Sequence, residues 1–179
     1  MADRIIRVID RISEVAGKGF AWLILSLTFA LGYEVFSRYF FDKPTTWAFD
    51  ASYMMYGAYF MMGSAYTLSR NAHVRGDIFY RKFPDRVQAI IDLTLYFLVF
   101  FPAMIALVVV GTQFFLESFR IRETSPLSPY DTPIYPLKAV IPVAGFLLLL
   151  QGIVQVIHCV HAIRTGTWPA DYREPEVLE

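Results

Sequence analysis

The sequence predicts an all-α integral membrane protein with four transmembrane helices, both termini in the cytoplasm and an amphipathic interfacial helix at the N-terminus. Three observations carry that expectation. Hydrophobic residues make up 56% of the chain, and charged residues only 18%, below the roughly 25% of a soluble domain. The charges are gathered into short clusters, separated by apolar stretches long enough to cross a bilayer. The connections between those stretches alternate between rich and poor in Lys and Arg.

Residues 1–18 place Ile5, Val8, Ile9, Ile12, Val15 and Ala16 at helical spacing, with Arg4, Arg7, Arg11 and Lys18 opposite. The preferred reading is a helix lying on the cytoplasmic leaflet; the alternative is a cytoplasmic extension of the first span. The basic region is long and interleaved with apolar residues, and no small-x-small exit precedes Glu34, so the segment reads as retained and not as a cleaved signal.

Residues 19–163 form the transmembrane domain, with spans at about 19–41, 47–68, 89–116 and 137–162. Each holds the ~20 mostly apolar residues that a helix rising ~1.5 Å per residue needs to cross. Pro102 and Pro142 lie within the last two spans, where proline is tolerated. The N-terminal segment, the second connection (Arg70, Arg75, Arg81, Lys82, Arg86) and the tail (Arg164, Arg173) carry most of the basic residues. The first connection has Lys43 alone, and the third has Arg120, Arg122 and Lys138. The positive-inside rule therefore puts both termini in the cytoplasm. Trp22, Trp47, Tyr130 and Trp168 fall near the boundaries, as an aromatic belt requires. Pro126, Pro129, Pro133 and Pro136 exclude a long helix from the third connection, which reads as an extended, ordered segment. The tail, residues 164–179, is acidic and Pro-containing, and is expected to fray after Trp168.

Polar residues inside the spans are the functional candidates. Glu34 and Arg38 stand one helical step apart on one face of the first span. They read as a structural pair more readily than as a proton or ion site, because a carboxylate kept charged beside a guanidinium shuttles protons poorly. In the second span, Asp50, Gly57 and Ser64 form one stripe, and Ala51, Ala58 and Ala65 the next. Together they make a small-residue face of the kind that lets membrane helices approach closely. Asp50 has two readings: a contact to Arg38 across the short connection, or a cap for the helix start after Thr45, Thr46 and Trp47.

His73, His158 and His161 fall on the cytoplasmic side. A haem held by His73 and His158 would make the chain a redox-complex anchor; hydrogen-bonded interfacial histidines are the simpler reading. His158 and His161 have no acidic or thiol partner at zinc-site spacing. The one cysteine, Cys159, excludes an intrachain disulfide and reads as a packing residue. Net charge is zero, so nothing points to nucleic acid. No phosphate loop, nucleophile elbow or HExxH is present, so an enzyme reading has no residues to rest on.

The ordered set Glu34-Val35-x-x-Arg38-Tyr39-x-Phe41, Trp47-x-x-Asp50, Gly63-x-Ala65-Tyr66-x-Leu68-x-Arg70 and His73-Val74-Arg75-x-Asp77 resembles the small, DctQ-like membrane subunit of the tripartite ATP-independent periplasmic (TRAP) transporters. That family usually has Glu where Asp50 stands; the aspartate keeps the charge and shortens the reach. The resemblance implies a bacterial inner-membrane protein with two partners, a large DctM-like membrane subunit and a DctP-like periplasmic substrate-binding protein. It implies uptake of organic acids driven by an ion gradient, usually Na⁺, with substrate and ion sites in the large subunit and no cofactor in this chain. Glu34, Arg38, Trp47, Asp50, Gly57, Ala58, Ser64 and Ala65 then become structural or subunit-interface residues. Arg70, His73, Arg75 and Asp77 form a cytoplasmic motif, and Arg120, Arg122 and Asp131 are candidates for docking the binding protein. A complete secondary transporter carries paired repeats and broken helices; neither is visible here, which suits a bracing subunit.

Overall fold

The computed structural model describes residues 2–70, 80, 83–126, 131–169 and 172. They form five helices: α1 (Ala2–Ala21), α2 (Leu23–Phe41), α3 (Thr46–Ser69), α4 (Asp85–Ile121) and α5 (Tyr135–Thr165). Among the described residues there is no strand, only an isolated bridge between Thr124 and Pro133.

Three described stretches are long and apolar enough to cross a membrane: Arg4–Phe41, Asp85–Ile121 and Tyr135–Thr165. α3 is less apolar, and its position explains why it tolerates polarity. It packs on α1, α2 and α5 and so sits at the centre of the bundle. Its serines and Thr67 bond their own backbone: Ser52 donates to the Ala48 carbonyl at 2.5 Å, Ser64 to Met61 at 2.6 Å, Thr67 to Gly63 at 3.0 Å and Ser69 to Tyr66 at 2.7 Å. A hydroxyl satisfied within its helix exposes no orphan group to lipid.

The last two helices run past the expected spans. Their apolar windows measure the bilayer crossing, whereas the helices continue until a backbone signal stops them. α4 ends at Arg122 (φ 50°) and α5 at Gly166 (φ 83°), both left-handed caps. With 37 residues, α4 is about 55 Å long against a ~30 Å hydrocarbon core. It is not regular throughout. Tyr96–Phe100 form a π turn immediately before Phe101 and Pro102. Proline supplies no amide to the ladder, and one wide turn accommodates that defect without breaking the helix.

α4 and α5 approach closely along a row of glycines. A Cβ on Gly111 would lie 2.9 Å from Ile141 Cγ2, on Gly145 3.0 Å from Val108 Cγ2, and on Gly152 2.5 Å from Phe100 Cε1. Phe100 belongs to the π turn, so the helix irregularity and the Gly152 notch form one contact. The main core joins Met62, Ala65 and Leu68 of α3 to Ala144, Leu147 and Leu148 of α5, with Ala16 and Phe20 of α1 packed on it. A second cluster gathers Ala89, Cys159 and Ala162 under Trp168. Most of the tail expected to fray after Trp168 lies outside the described residues; Tyr172, which is described, is buried and stacks on Trp168 with ring centroids 4.2 Å apart.

α1 is joined to α2 through Trp22, whose torsions (φ −63°, ψ −20°) remain helical. Ile9, Ser13 and Gly17 of α1 are buried at successive turns. Gly17 meets Tyr66 so closely that an added Cβ would lie 2.5 Å from Tyr66 Cβ, whereas Gly19 has nothing within 4 Å. Gly17→Ala should therefore overpack the α1–α3 contact and cost about 1–3 kcal/mol. Gly19→Ala should be neutral or slightly stabilising. Thermal unfolding of the two variants in the same detergent checks this; equal midpoints would show that α1 does not pack on α3 as described.

Candidate functional site

Three polar nodes hold the helices together, and the first explains the charged pair inside α2. Glu34 is buried, and both its carboxylate oxygens are used. Oε1 accepts from Arg38 Nε at 3.0 Å and also from Arg38 Nη2. Oε2 accepts the Thr45 backbone amide at 2.6 Å and the Thr45 hydroxyl. Thr45 is the N-cap of α3, and it makes no side-chain bond to its own helix. The carboxylate thus caps α3 from the neighbouring helix, receiving an amide that helix geometry leaves without an internal acceptor. Just above it, the Ser37 hydroxyl donates to the Lys43 carbonyl at 2.6 Å, and the Lys43 amide returns to the Ser37 carbonyl at 3.2 Å. Asp42 turns the chain through a left-handed residue (φ 53°). The α2–α3 connection is closed by side chains and backbone together.

The second node corrects both readings of Asp50. Asp50 neither caps α3 nor pairs with Arg38. It lies a full turn inside the helix and accepts from the Ser125 hydroxyl at 2.9 Å. Arg38 is committed to Glu34, and the short aspartate points along the other flank of α3 toward the segment between α4 and α5. Ser125 is buried, and its amide donates to the Thr132 carbonyl at 2.7 Å. The Ile134 amide donates to the Glu123 carbonyl at 3.1 Å, so the described parts of the proline-rich segment close on themselves. Glu123 pairs with Lys138, whose ammonium also sits 3.8 Å from the Phe114 ring centroid. The hydrogen bond and charge of Lys138 hold the Glu123 carboxyl below its ordinary range.

The third node sits at the opposite end of α3 and was not anticipated. Gln151 of α5 is fully buried. Its amide donates to Asp10 Oδ1 at 2.8 Å, and its carbonyl accepts from the Ser13 hydroxyl at 3.2 Å. One turn on, Gln155 donates to the Leu68 carbonyl at 3.0 Å, near the end of α3. Two glutamines a turn apart in an apolar helix are a legible signal of interhelical bonding. Nothing in the sequence names their partners on α1 and α3.

The small-residue face is turned to the chain's own helices. Ala58 and Ala65 are buried, Leu137 of α5 lies against Gly57, and Ser64 is half-buried. Trp47 is exposed, with its ring 6.0 Å from that of Tyr33. Arg120, Arg122 and Asp131 are exposed, the last two in left-handed conformations. Arg70 is exposed and lies 3.5 Å from Glu14. His73, Arg75 and Asp77 lie outside the described residues. His158 is set against Tyr172, ring centroids 5.2 Å apart, and His161 is exposed.

Chemically, these nodes are clamps. Each joins two elements, and Glu34 has both oxygens occupied by donors from the chain itself. A family model described as "Tripartite ATP-independent periplasmic transporters, DctQ component" matches residues 27–162. Comparison with the curated proteins finds no match. The matched stretch contains the Glu34 and Asp50 nodes and both glutamines of α5, and it covers most of the chain: the protein belongs to the DctQ family, the membrane component that forms the small subunit of a tripartite, ATP-independent transporter and is not an enzyme.

Proposed function

We propose that this chain braces the large membrane subunit of a TRAP transporter for organic acids, and that it helps dock the periplasmic binding protein. The observation that carries the reading is the saturation of Glu34: a carboxylate inside an apolar helix is used to cap and hold α3, and offers no open valence to a substrate or a proton. Substrate and Na⁺ sites then belong to the large subunit. α3 crosses the bilayer beside the three more apolar stretches, giving four spans, with both termini on the cytoplasmic side of the inner membrane as the distribution of basic residues directs. The haem-anchor reading finds no support, since His158 is packed against Tyr172.

In this orientation the α2–α3 connection and the segment from Arg122 to Ile134 face the periplasm. Arg120 and Arg122 stand exposed at the end of α4, where charge can steer a soluble partner without holding it tightly. A protein that delivers its ligand and departs needs such a contact.

Three outcomes test this reading. Glu34→Gln and Thr45→Val each remove part of one clamp, so both should lower complex yield and the thermal midpoint by several degrees, with the pH dependence of uptake unchanged. Normal assembly with an altered pH profile would return Glu34 to a proton-handling role.

Charge reversal at Arg120 and Arg122 together should slow uptake at limiting binding protein by roughly tenfold. Excess binding protein should restore part of the rate, with the amount of membrane complex unchanged. Unaltered uptake at every concentration, or a fall in complex abundance, would remove the docking role.

The third outcome concerns pH. Because the Glu123 carboxyl is held below its ordinary range, its contribution is present above the unfolded-state value and fades as pH falls through the folded-state value. Protease protection of the segment after Arg122 should weaken on acidification. In Glu123→Gln, protection should be lower at neutral pH and insensitive to that change.

A further inference from the structure

α1 presents three distinct sectors. Ile9, Ser13 and Gly17 face the bundle, where Gln151 bonds to Asp10 and Ser13 and so fixes the roll of the helix. Next to that sector is a stripe of exposed apolar side chains: Ile5 (48%), Val8 (53%), Ile12 (44%) and Val15 (66%). Beyond the stripe, at the following helical angles, come Arg4, Arg7 and Arg11. These guanidiniums share one shallow open hollow with Val8, Val15, Lys18 and the carboxylates Asp10 and Glu14, so cations outnumber anions there four to two. The other described charges of α1 are engaged: Glu14 takes Lys18 at 2.5 Å and Arg70 at 3.5 Å, and Asp10 takes Gln151. Among the described residues no carboxylate lies within ion-pair distance of Arg4, Arg7 or Arg11; Glu14, which feels the charge of Arg11, is held by Lys18 and Arg70.

We propose that this side of α1 is a seat for anionic phospholipid. The stripe enters the acyl boundary of the cytoplasmic leaflet, and Arg4, Arg7 and Arg11 bind the phosphates of acidic headgroups beside it. The inference rests on the reading that the N-terminus lies at the cytoplasmic face, and it names the lipid chemistry that α1 selects. Three features favour a leaflet over any other occupant. The apolar stripe and the basic row are adjacent and parallel, as an interfacial helix requires. The row extends over about 10 Å of helix, which suits a field of headgroups more than one chelated anion. Guanidinium groups bind phosphate oxygens through paired hydrogen bonds. The Gln151 latch adds what a free amphipathic helix lacks, since α1 cannot roll to bury its stripe elsewhere on the bundle.

The test uses the full chain in bilayers of phosphatidylcholine with a minor share of phosphatidylglycerol. Association of spin-labelled phosphatidylglycerol is measured against spin-labelled phosphatidylcholine. Each cation near an acidic leaflet is worth about fivefold at low salt. After screening, Arg4→Gln, Arg7→Gln and Arg11→Gln together should lower the phosphatidylglycerol preference on the order of tenfold. Arg120→Gln with Arg122→Gln should leave it unchanged. In parallel, a nitroxide at Val15→Cys, with buried Cys159 left in place, should be relaxed by oxygen more than by a water-soluble paramagnet. A label in lipid together with an undiminished preference in the triple variant, or with no preference in the wild type, overturns the headgroup assignment and leaves the surface reading of α1 standing. A label in water overturns both.

Discussion

A charged carboxylate in an apolar helix has to find its hydrogen-bond donors within the protein, because the bilayer core supplies none. Glu34 meets that constraint by taking donors from two directions, Arg38 one turn along its own helix and Thr45 at the start of the next. The rest of the α2–α3 end follows from it. Capping α3 from outside fixes where the helix begins, and that sets the register at which Asp50 meets Ser125 and Gly57 meets Leu137. Neighbouring charges inside a membrane protein are expensive to separate once paired, so this node favours a single arrangement of the two helices over a sliding one.

The same constraint works at the other end through neutral groups. Gln151 and Gln155 are buried at less than a few per cent exposure, and each bonds to a different element, α1 and the end of α3 respectively. Interhelical amide bonds of this kind are individually modest, about 0.6 kcal/mol on average in a membrane. Their value here is positional. The α3–α5 core of Ala65, Ala144, Leu147 and Leu148 is made of small and flexible apolar side chains that could pack in more than one register. The polar contacts at both ends of α3 select one.

Much of this was legible before any coordinates. Composition marks apolar stretches because lipid imposes one length scale on a crossing helix: Asp85–Ile121 and Tyr135–Thr165 reach a few residues beyond the expected 89–116 and 137–162, whereas Arg4–Phe41 begins well before residue 19 and the expected 47–68 is less apolar than the other three. The Glu34–Arg38 pair was legible because i to i+4 spacing on a helix is a geometric certainty. Its third member was not: Thr45 acts through its amide and its position as N-cap, and threonine in a short connection has no distinguishing pattern. Asp50 was misplaced for a related reason. Its depth along the bundle could be inferred, but the direction of its side chain depends on how α3 is rolled, and nothing local to residues 45–50 sets that roll. The small stripe of α3 reports closeness without naming a neighbour, since small residues carry no signal of their partner. Leu137 and the α5 core lie against it.

The packing of α4 on α5 completes the mechanical argument. Three glycines of the pair, Gly111, Gly145 and Gly152, each receive a side chain from the opposite helix so closely that a Cβ would force that side chain to shift, and the last receives Phe100 from the π turn. Sliding one helix along the other would drive those side chains into backbone, so the pair resists shear where a flat apolar interface would permit it. With α2 tied to α3 by Glu34, α3 tied to the α4–α5 connection by Asp50 and Ser125, and α1 tied to α5 by Gln151, each described helix is joined to the bundle by a contact with a defined register. A subunit built in this way has few internal motions at low cost. That rigidity is what the proposed bracing of a large membrane subunit requires, and it goes with polar residues whose hydrogen bonds are turned inward to the chain's own helices.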